Sequence, residues 1–402
     1  MRKITLIFKL FLVVCGLFIG NINVWADDAS VQHFGGDEQT IWTTSSSTTN
    51  NILHGSTVTL KDLVMTFGGS TDDDKWVWIG DKNNGVVSNM PNTGSSSTGV
   101  TSVVVGDNVP TCGGTYKFVP STTGVLSIDV KGGGVGKTDG AGYLYLVTVD
   151  EGNNNKITEI VSSKAGYATS EREKYHLIAG NTYYFFQCAI SASNVTSGRL
   201  TLKKISYQTS VPVTVTEAGY ATFSSPYPLD LTTANTPDGL TAYYIAEGNL
   251  SKNNASFTAI NQTVAAGEGI LLKGAANIYN IKVAASGTDL SDNALVATDG
   301  NAIPANNYVF AYETENPSTT AGFYYVNEAT AAVPAGKAYL NGSKVPSSVK
   351  SFIFGDDTAT GVDAPVAAEA EEDGVYYNLN GQQVTKDYKG IVIVNGKKFY
   401  NK

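Results

Sequence analysis

Apolar residues recur at every second position through much of the first half of the chain. Tyr116-Lys117-Phe118-Val119, Val125-Leu126-Ser127-Ile128-Asp129-Val130, Tyr143 to Val149, Tyr183 to Phe186 and Leu200-Thr201-Leu202-Lys203-Lys204-Ile205 carry this pattern, separated by Gly-, Ser-, Thr- and Asn-rich connections. A period of two is that of a strand with one buried face. No apolar period of 3.6 residues is sustained anywhere, so the chain reads as all-β. Residues 27–209 predict a β-sandwich, whose two sheets each bury alternate residues.

Shorter strands follow over residues 210–357. Three phrases there echo one another: Val264-Ala265-Ala266-Gly267, Ile303-Pro304-Ala305-Asn306 and Val333-Pro334-Ala335-Gly336. Each leads into an apolar run, and Gly or Asn in fourth place tolerates the left-handed backbone of a tight turn. The echo predicts a repeated strand-turn unit. Residues 358–374 are rich in Ala and Glu without periodicity, a linker composition. Residues 375–402 hold two Asn-Gly pairs flanked by Tyr, Leu, Ile and Val, which predicts hairpins in a small β-meander.

The ends of the chain speak of export. Arg2, Lys3 and Lys9 precede or enter an apolar run through Phe11 to Ile19, and Val24-Trp25-Ala26 suits a signal peptidase, so residues 1–26 read as a signal peptide. A lipoprotein would use Cys15, but Val14 stands where a lipidation site wants a small residue. No other stretch is long and apolar enough to span a bilayer, so no transmembrane segment is expected after signal cleavage. The signal segment holds three bases and no acids, which moves the formal charge from -9 to about -12 for the mature chain. Such a surface repels nucleic acid and anionic lipid.

Several stretches carry resemblances. Tyr376-Tyr377-Asn378-Leu379-Asn380-Gly381-Gln382-Gln383-Val384, with Lys389 to Lys398, resembles the C-terminal module of secreted and surface proteins of Bacteroides and Prevotella relatives. That likeness implies a location outside the cell or on its outer surface, and recognition by an outer-membrane secretion machinery. Gly114 to Pro120, Gly124 to Val130 and Leu177 to Phe186 resemble the jelly-roll modules found beside carbohydrate-active domains in such bacteria. The likeness implies a jelly-roll-like sandwich and a carbohydrate-binding role. Ala218-Gly219-Tyr220-Ala221-Thr222-Phe223-Ser224-Ser225-Pro226-Tyr227 is similar to a phrase that recurs in surface proteins of the same group.

Candidate chemistry is sparse. Lys131-Gly132-Gly133-Gly134-Val135-Gly136-Lys137-Thr138 imitates a phosphate-binding loop, but Lys131 stands where that loop needs Gly and a strand follows where it needs a helix. A Gly-rich hairpin is the better reading. His33, His54 and His176 are scattered. Glu171 with Glu173, or Asp72 with Asp74, could hydrolyse glycosides by residue type alone, and such neighbours are more often solvated charge. Asp72, Asp73 and Asp74 offer hard oxygen ligands for a structural calcium, or form a charged turn. No other cofactor is indicated.

Trp76-Val77-Trp78 is the sharpest binding signal. On a strand both indoles share one face, where they would stack on sugar rings while Asp74, Asp81, Asn83 and Asn84 meet the hydroxyls. The alternative is that both plug the sandwich core. Cys112 and Cys188, the mature cysteines, invite a disulfide in an oxidising compartment, or are two buried thiols. Asp357-Thr358-Ala359 resembles the periplasmic O-glycosylation acceptor of Bacteroides-type bacteria, with Thr358 as the modified residue. The expectation is a non-catalytic exported protein that binds polysaccharide or host glycan. A structural or adhesin-type surface protein, and a glycoside-active enzyme, are the alternatives.

Overall fold

The computed structural model describes residues 30–34, 55–67, 77–79, 86–89, 100–110, 114–132, 142–165, 170–189, 199–252, 254–328, 333–346, 349–355, 358–363, 376–378, 382–385, 388–394 and 397–401. The protein is all-β. In the first region the strands are β1 (Ser30–His33), β2 (Thr57–Leu60), β3 (Leu63–Phe67), β4 (Val77–Ile79), β5 (Val86–Asn89) and β6 (Thr115–Pro120). They continue with β7 (Gly124–Gly132), β8 (Gly142–Asp150), β9 (Lys156–Ala165), β10 (Ser170–Leu177), β11 (Thr182–Ala189) and β12 (Arg199–Gln208).

Their pairing is nested. β8 pairs with β9, β7 with β10, β6 with β11 and β5 with β12, so one long antiparallel hairpin of four paired segments is rolled into two sheets. One sheet runs β10-β7-β12-β5-β4, with β1 beside β12, and the other β2-β3-β6-β11-β8-β9. This is a jelly roll. Its core lies between the sheets, where Leu126, Ile128, Leu202 and Ile205 of one meet Tyr116, Phe118, Leu144 and Phe185 of the other. The Gly-rich stretch after Lys131 leaves β7 in one sheet for β8 in the other. β7 and β8 therefore do not pair with each other as the two arms of a hairpin; residues 133–141 lie outside the described ones.

β8 buries both of its faces. Leu144 and Leu146 join the central core, while Tyr145 and Val147 enter a smaller cluster with Phe186, Cys188 and Ile157. Val103 and Val109 of the segment 100–110 cover that outer cluster. Cys188 is fully buried there as a free thiol, and burial pushes its pKa up to about 12. Cys188 packs into apolar surroundings as a small hydrophobe; Cys112, its partner in the expected disulfide, lies outside the described residues.

One residue, Thr209, separates β12 from β13 (Ser210–Val215), which opens the second region. β14 (Tyr220–Phe223), β15 (Leu229–Asp230), β16 (Leu240–Tyr244), β17 (Asn254–Ser256), β18 (Thr258–Ala259), β19 (Thr263–Val264), β20 (Ile270–Gly274) and β21 (Asn277–Lys282) follow. The region closes with β22 (Leu295–Ala297), β23 (Asn307–Ala311), the short helix α1 (Pro317–Thr320), β24 (Gly322–Val326), β25 (Ala338–Leu340), β26 (Val349–Phe354) and β27 (Thr358–Asp363). The sheet β14-β20-β16-β18 is a middle layer. Tyr220, Tyr243 and Leu271 pack on the sheet β17-β27-β26-β24-β23-β25-β22, and the alternate residues Ala221, Phe223, Ala242, Ile270 and Leu272 pack on the pairs β13-β21 and β15-β19. A sheet covered on both faces reads as continuous apolar runs, as Ile270-Leu271-Leu272 does.

The three echoed phrases share a conformation. Gly267, Asn306 and Gly336 have φ of +83°, +65° and +83°, and each stands within a few residues of a strand start, at β20, β23 and β25. β27 corrects the expected linker. Residues 358–363 pair with both β26 and β17, so the folded region extends to Asp363. Thr-Ala-Thr-Gly-Val-Asp lacks the apolar alternation that would announce a strand, because its neighbours on both sides supply the pairing.

The C-terminal strands are β28 (Tyr376–Asn378), β29 (Gln383–Val384), β30 (Gly390–Val394) and β31 (Lys397–Asn401). Their order is β29-β28-β30-β31, which replaces the sequential meander of the sequence reading. β28 and β30 pair directly, with Tyr377 opposite Ile393, so β30 passes to the far side of β28. β30 and β31 pair with Val394 opposite Lys397; Asn395 and Gly396 lie outside the described residues.

His176 ties the first two regions together. Its Nε2 donates to the Ala284 carbonyl at 2.9 Å, and its ring lies 6.1 Å from that of Tyr227. Burial lowers its pKa, against the opposing pull of the Ala284 carbonyl. A depressed imidazole stabilises the fold fully above its unfolded value of about 6.5, and the contribution is lost as pH falls. The melting temperature of the wild type is therefore expected to fall more than that of His176→Gln between pH 7 and pH 5. Parallel curves for the two proteins would show that the contact carries no proton linkage.

Candidate functional site

Register decides where Trp78 stands. On β4 it is opposite Val87 of β5, which is opposite Thr201 of β12, which is opposite Lys131 of β7. The flanking rows differ. Val77 and Ser88 lead to Leu200, and Ile79 and Val86 lead to Leu202; both leucines are 1 % exposed in the core. Because successive residues alternate between faces, Trp78 belongs to the row that alternates with the core rows. Among the described residues β4 is an edge strand of its sheet. Trp76, Asp74, Asp81, Asn83 and Asn84, and the calcium candidates Asp72 and Asp73, lie outside the described residues.

A second candidate is a cleft of about 440 Å³ in the second region. Phe223 and Tyr220 of β14 and Phe310 of β23 give it aromatic walls, with Tyr312, Tyr324 and Pro334. The Tyr324 hydroxyl donates to the Thr320 carbonyl at 2.6 Å, and burial together with the nearby Glu313 carboxylate raises its pKa. Thr216 Oγ1 is buried with no hydrogen-bond partner among the described residues. A neighbouring recess shares Thr214, Thr216 and Tyr312 with the cleft and adds Glu217 and Ile278. Cavities of this size and apolar character are the usual seats of ligands.

The sequence reading passed over this cleft, although two of its landmarks border it. The Ala218 to Tyr227 phrase and the Val333 to Gly336 echo meet where Ser224 N–H donates to the Gly336 carbonyl at 2.9 Å. Their recurrence was a signal of a shared place in the fold.

The remaining candidates disperse. Glu173 accepts from Lys164 Nζ at 2.6 Å, an ordinary ion pair, while Glu171 lies opposite Val130 two positions along the same strand. Thr358 opens β27 opposite Ser256, within a sheet and not in an open linker. His33 is on β1 and His176 at the contact already described, while His54 lies outside the described residues. Among the described residues no group of three or more His, Cys, Asp and Glu is placed to hold a metal ion, and no helix is long and apolar enough to cross a membrane. Comparison with known proteins adds no family: no protein-family model matches the chain, and no curated protein gives a significant match.

Proposed function

We propose that this chain is an exported, non-catalytic binding protein that holds polysaccharide on the jelly roll, along the row of Trp78. One observation carries this: the row Lys131, Thr201, Val87, Trp78 is the one that alternates with the rows entering the core. An indole offers a flat apolar face to the C–H side of a sugar ring while its N–H seeks a polar partner. Lysine and threonine in the same row suit sugar hydroxyls as hydrogen-bond partners. In the sequence Trp76, Asp74, Asp81, Asn83 and Asn84 flank this position with the same chemistry. Export, read from the N-terminal apolar run and the C-terminal likeness, gives such a site access to extracellular or host glycan.

Affinity electrophoresis of the mature chain through a broad panel of neutral polysaccharides tests the proposal. At least one polysaccharide is expected to retard it. Trp78→Ala should weaken that retention by about 30-fold or more, the loss typical of a central aromatic anchor, without changing the melting temperature. A panel that retards nothing, or a Trp78→Ala protein that unfolds, would return the tryptophan to a packing role and favour the structural or adhesin-type alternative.

A further inference from the structure

The cleft of the second region gathers its polar groups in one place. Thr216 and Tyr312 line both the cleft and the recess beside it, so they stand where the two join. Glu313 follows Tyr312 in the chain and lines the cleft, while Glu217 follows Thr216 and lines the recess. Burial and then the Glu313 carboxylate raise the pKa of Tyr324, which puts that carboxylate close to a further lining residue. Most of the remaining lining is apolar, with Val213, Phe223, Phe310 and Pro334 among it.

The groups at this junction accept hydrogen bonds and have few protons to give. Tyr324 already donates its proton to the Thr320 carbonyl at 2.6 Å, which leaves its lone pairs. Ionised Glu313 and Glu217 are acceptors only, and neither has an ion-pair partner among the described residues. Thr216 Oγ1 is buried without a hydrogen-bond partner among the described residues, a state that destabilises the fold until something bonds the hydroxyl. Lys337, a cation of the lining, makes contacts of its own.

An acceptor-rich junction beside apolar walls has a definite chemical complement. It is a molecule with an apolar body and a positively charged head that only donates. A protonated amine carries three N–H donors and no acceptor, and the ring face of a tyrosine such as Tyr312 also attracts a cation. A carboxylate or phosphate would instead bring like charge to Glu313 and Glu217.

We propose that the cleft binds a small organic amine, an ammonium group on an apolar alkyl or arylalkyl body. The ammonium sits at the junction, bonded to Thr216 and Glu313, and the body lies against Phe223 and Phe310. The volume of about 440 Å³ falls within the span of roughly 300–1,000 Å³ for small-molecule sites, where a few polar groups orient a mainly apolar ligand. Trp78 is on the jelly roll, so this site is separate from the glycan row.

Displacement of N-phenyl-1-naphthylamine, an uncharged apolar fluorophore, from the mature chain tests this. The fluorophore is expected to brighten on binding, and Thr214→Trp, which puts an indole at a residue shared by cleft and recess, should weaken its binding at least fivefold. 4-Phenylbutylamine should displace it at a concentration at least tenfold lower than 4-phenylbutyrate, with 4-phenylbutanol between them. Glu313→Gln, at an exposed position, should bring the amine to within about twofold of the alcohol and leave the fluorophore bound. Thr216→Val should weaken the amine about fivefold without lowering the melting temperature, because it removes a buried hydroxyl that has no partner in the free chain. Trp78→Ala should change none of these values. A chain that leaves the fluorophore dark, brightening that Thr214→Trp does not alter, or equal displacement by amine and carboxylate would overturn the proposal. A Thr216→Val protein that melts lower and keeps its amine affinity would overturn the part given to that hydroxyl.

Discussion

A chain ending at Asp357 is expected to lose the cooperative unfolding of its second region, whereas one ending at Asp363 keeps it. β27 is an internal strand, with β26 on one side and β17 on the other. Removing it strips the pairing from Phe352, Ile353 and Phe354 and from fully buried Ala255 at once. The orphaned main-chain groups and the exposed aromatic core together rival a domain's whole stability of about 5–15 kcal/mol. The jelly roll has its own core and should survive. The two halves can be followed separately, because all four tryptophans precede residue 79 and their emission reports the first region alone, while far-ultraviolet circular dichroism reports both. Equal melting of the two truncated chains would show that β27 contributes only an edge.

That strand also marks where the sequence stops being legible. Tyr116 to Phe118 and Val125 to Val130 announce their strands because alternate residues of each enter the central core, so the code of burial is written locally. The nested pairing of β5 with β12 joins residues more than a hundred positions apart and leaves no local trace. The same holds for the register of Trp78 against Val87 and Thr201, a pairing across the sheet that no local pattern announces. The turns were readable to the residue, since positive φ at Gly267, Asn306 and Gly336 restricts which side chains can stand there. The cleft was not. Its walls come from Tyr220 and from Phe310, ninety residues later, and each reads as an ordinary strand aromatic until the two edges face each other.

Phe354→Ala is expected to destabilise the second region by about 3–5 kcal/mol, the range of a buried aromatic truncated to a methyl. Phe354 is 6 % exposed, and its ring lies 4.9 Å from Tyr220, 5.3 Å from Phe323, 5.4 Å from Phe257 and 5.8 Å from Phe310, the last stacked at 17°. Tyr220 belongs to the middle sheet, while Phe310, Phe323 and Phe354 belong to three strands of the outer one, so a single ring joins two layers. Each aromatic pair contributes about 0.5–1.5 kcal/mol beyond its buried area. Phe354→Leu keeps most of the volume and loses the ring contacts, so its loss should be clearly smaller than that of Ala. Urea unfolding followed by circular dichroism gives both values, and tryptophan emission in the same samples should stay at the wild-type midpoint. A loss under about 1 kcal/mol for Phe354→Ala would mean that the layers are held elsewhere, since a ring with four aromatic neighbours cannot be removed at that cost without collapse of its surroundings.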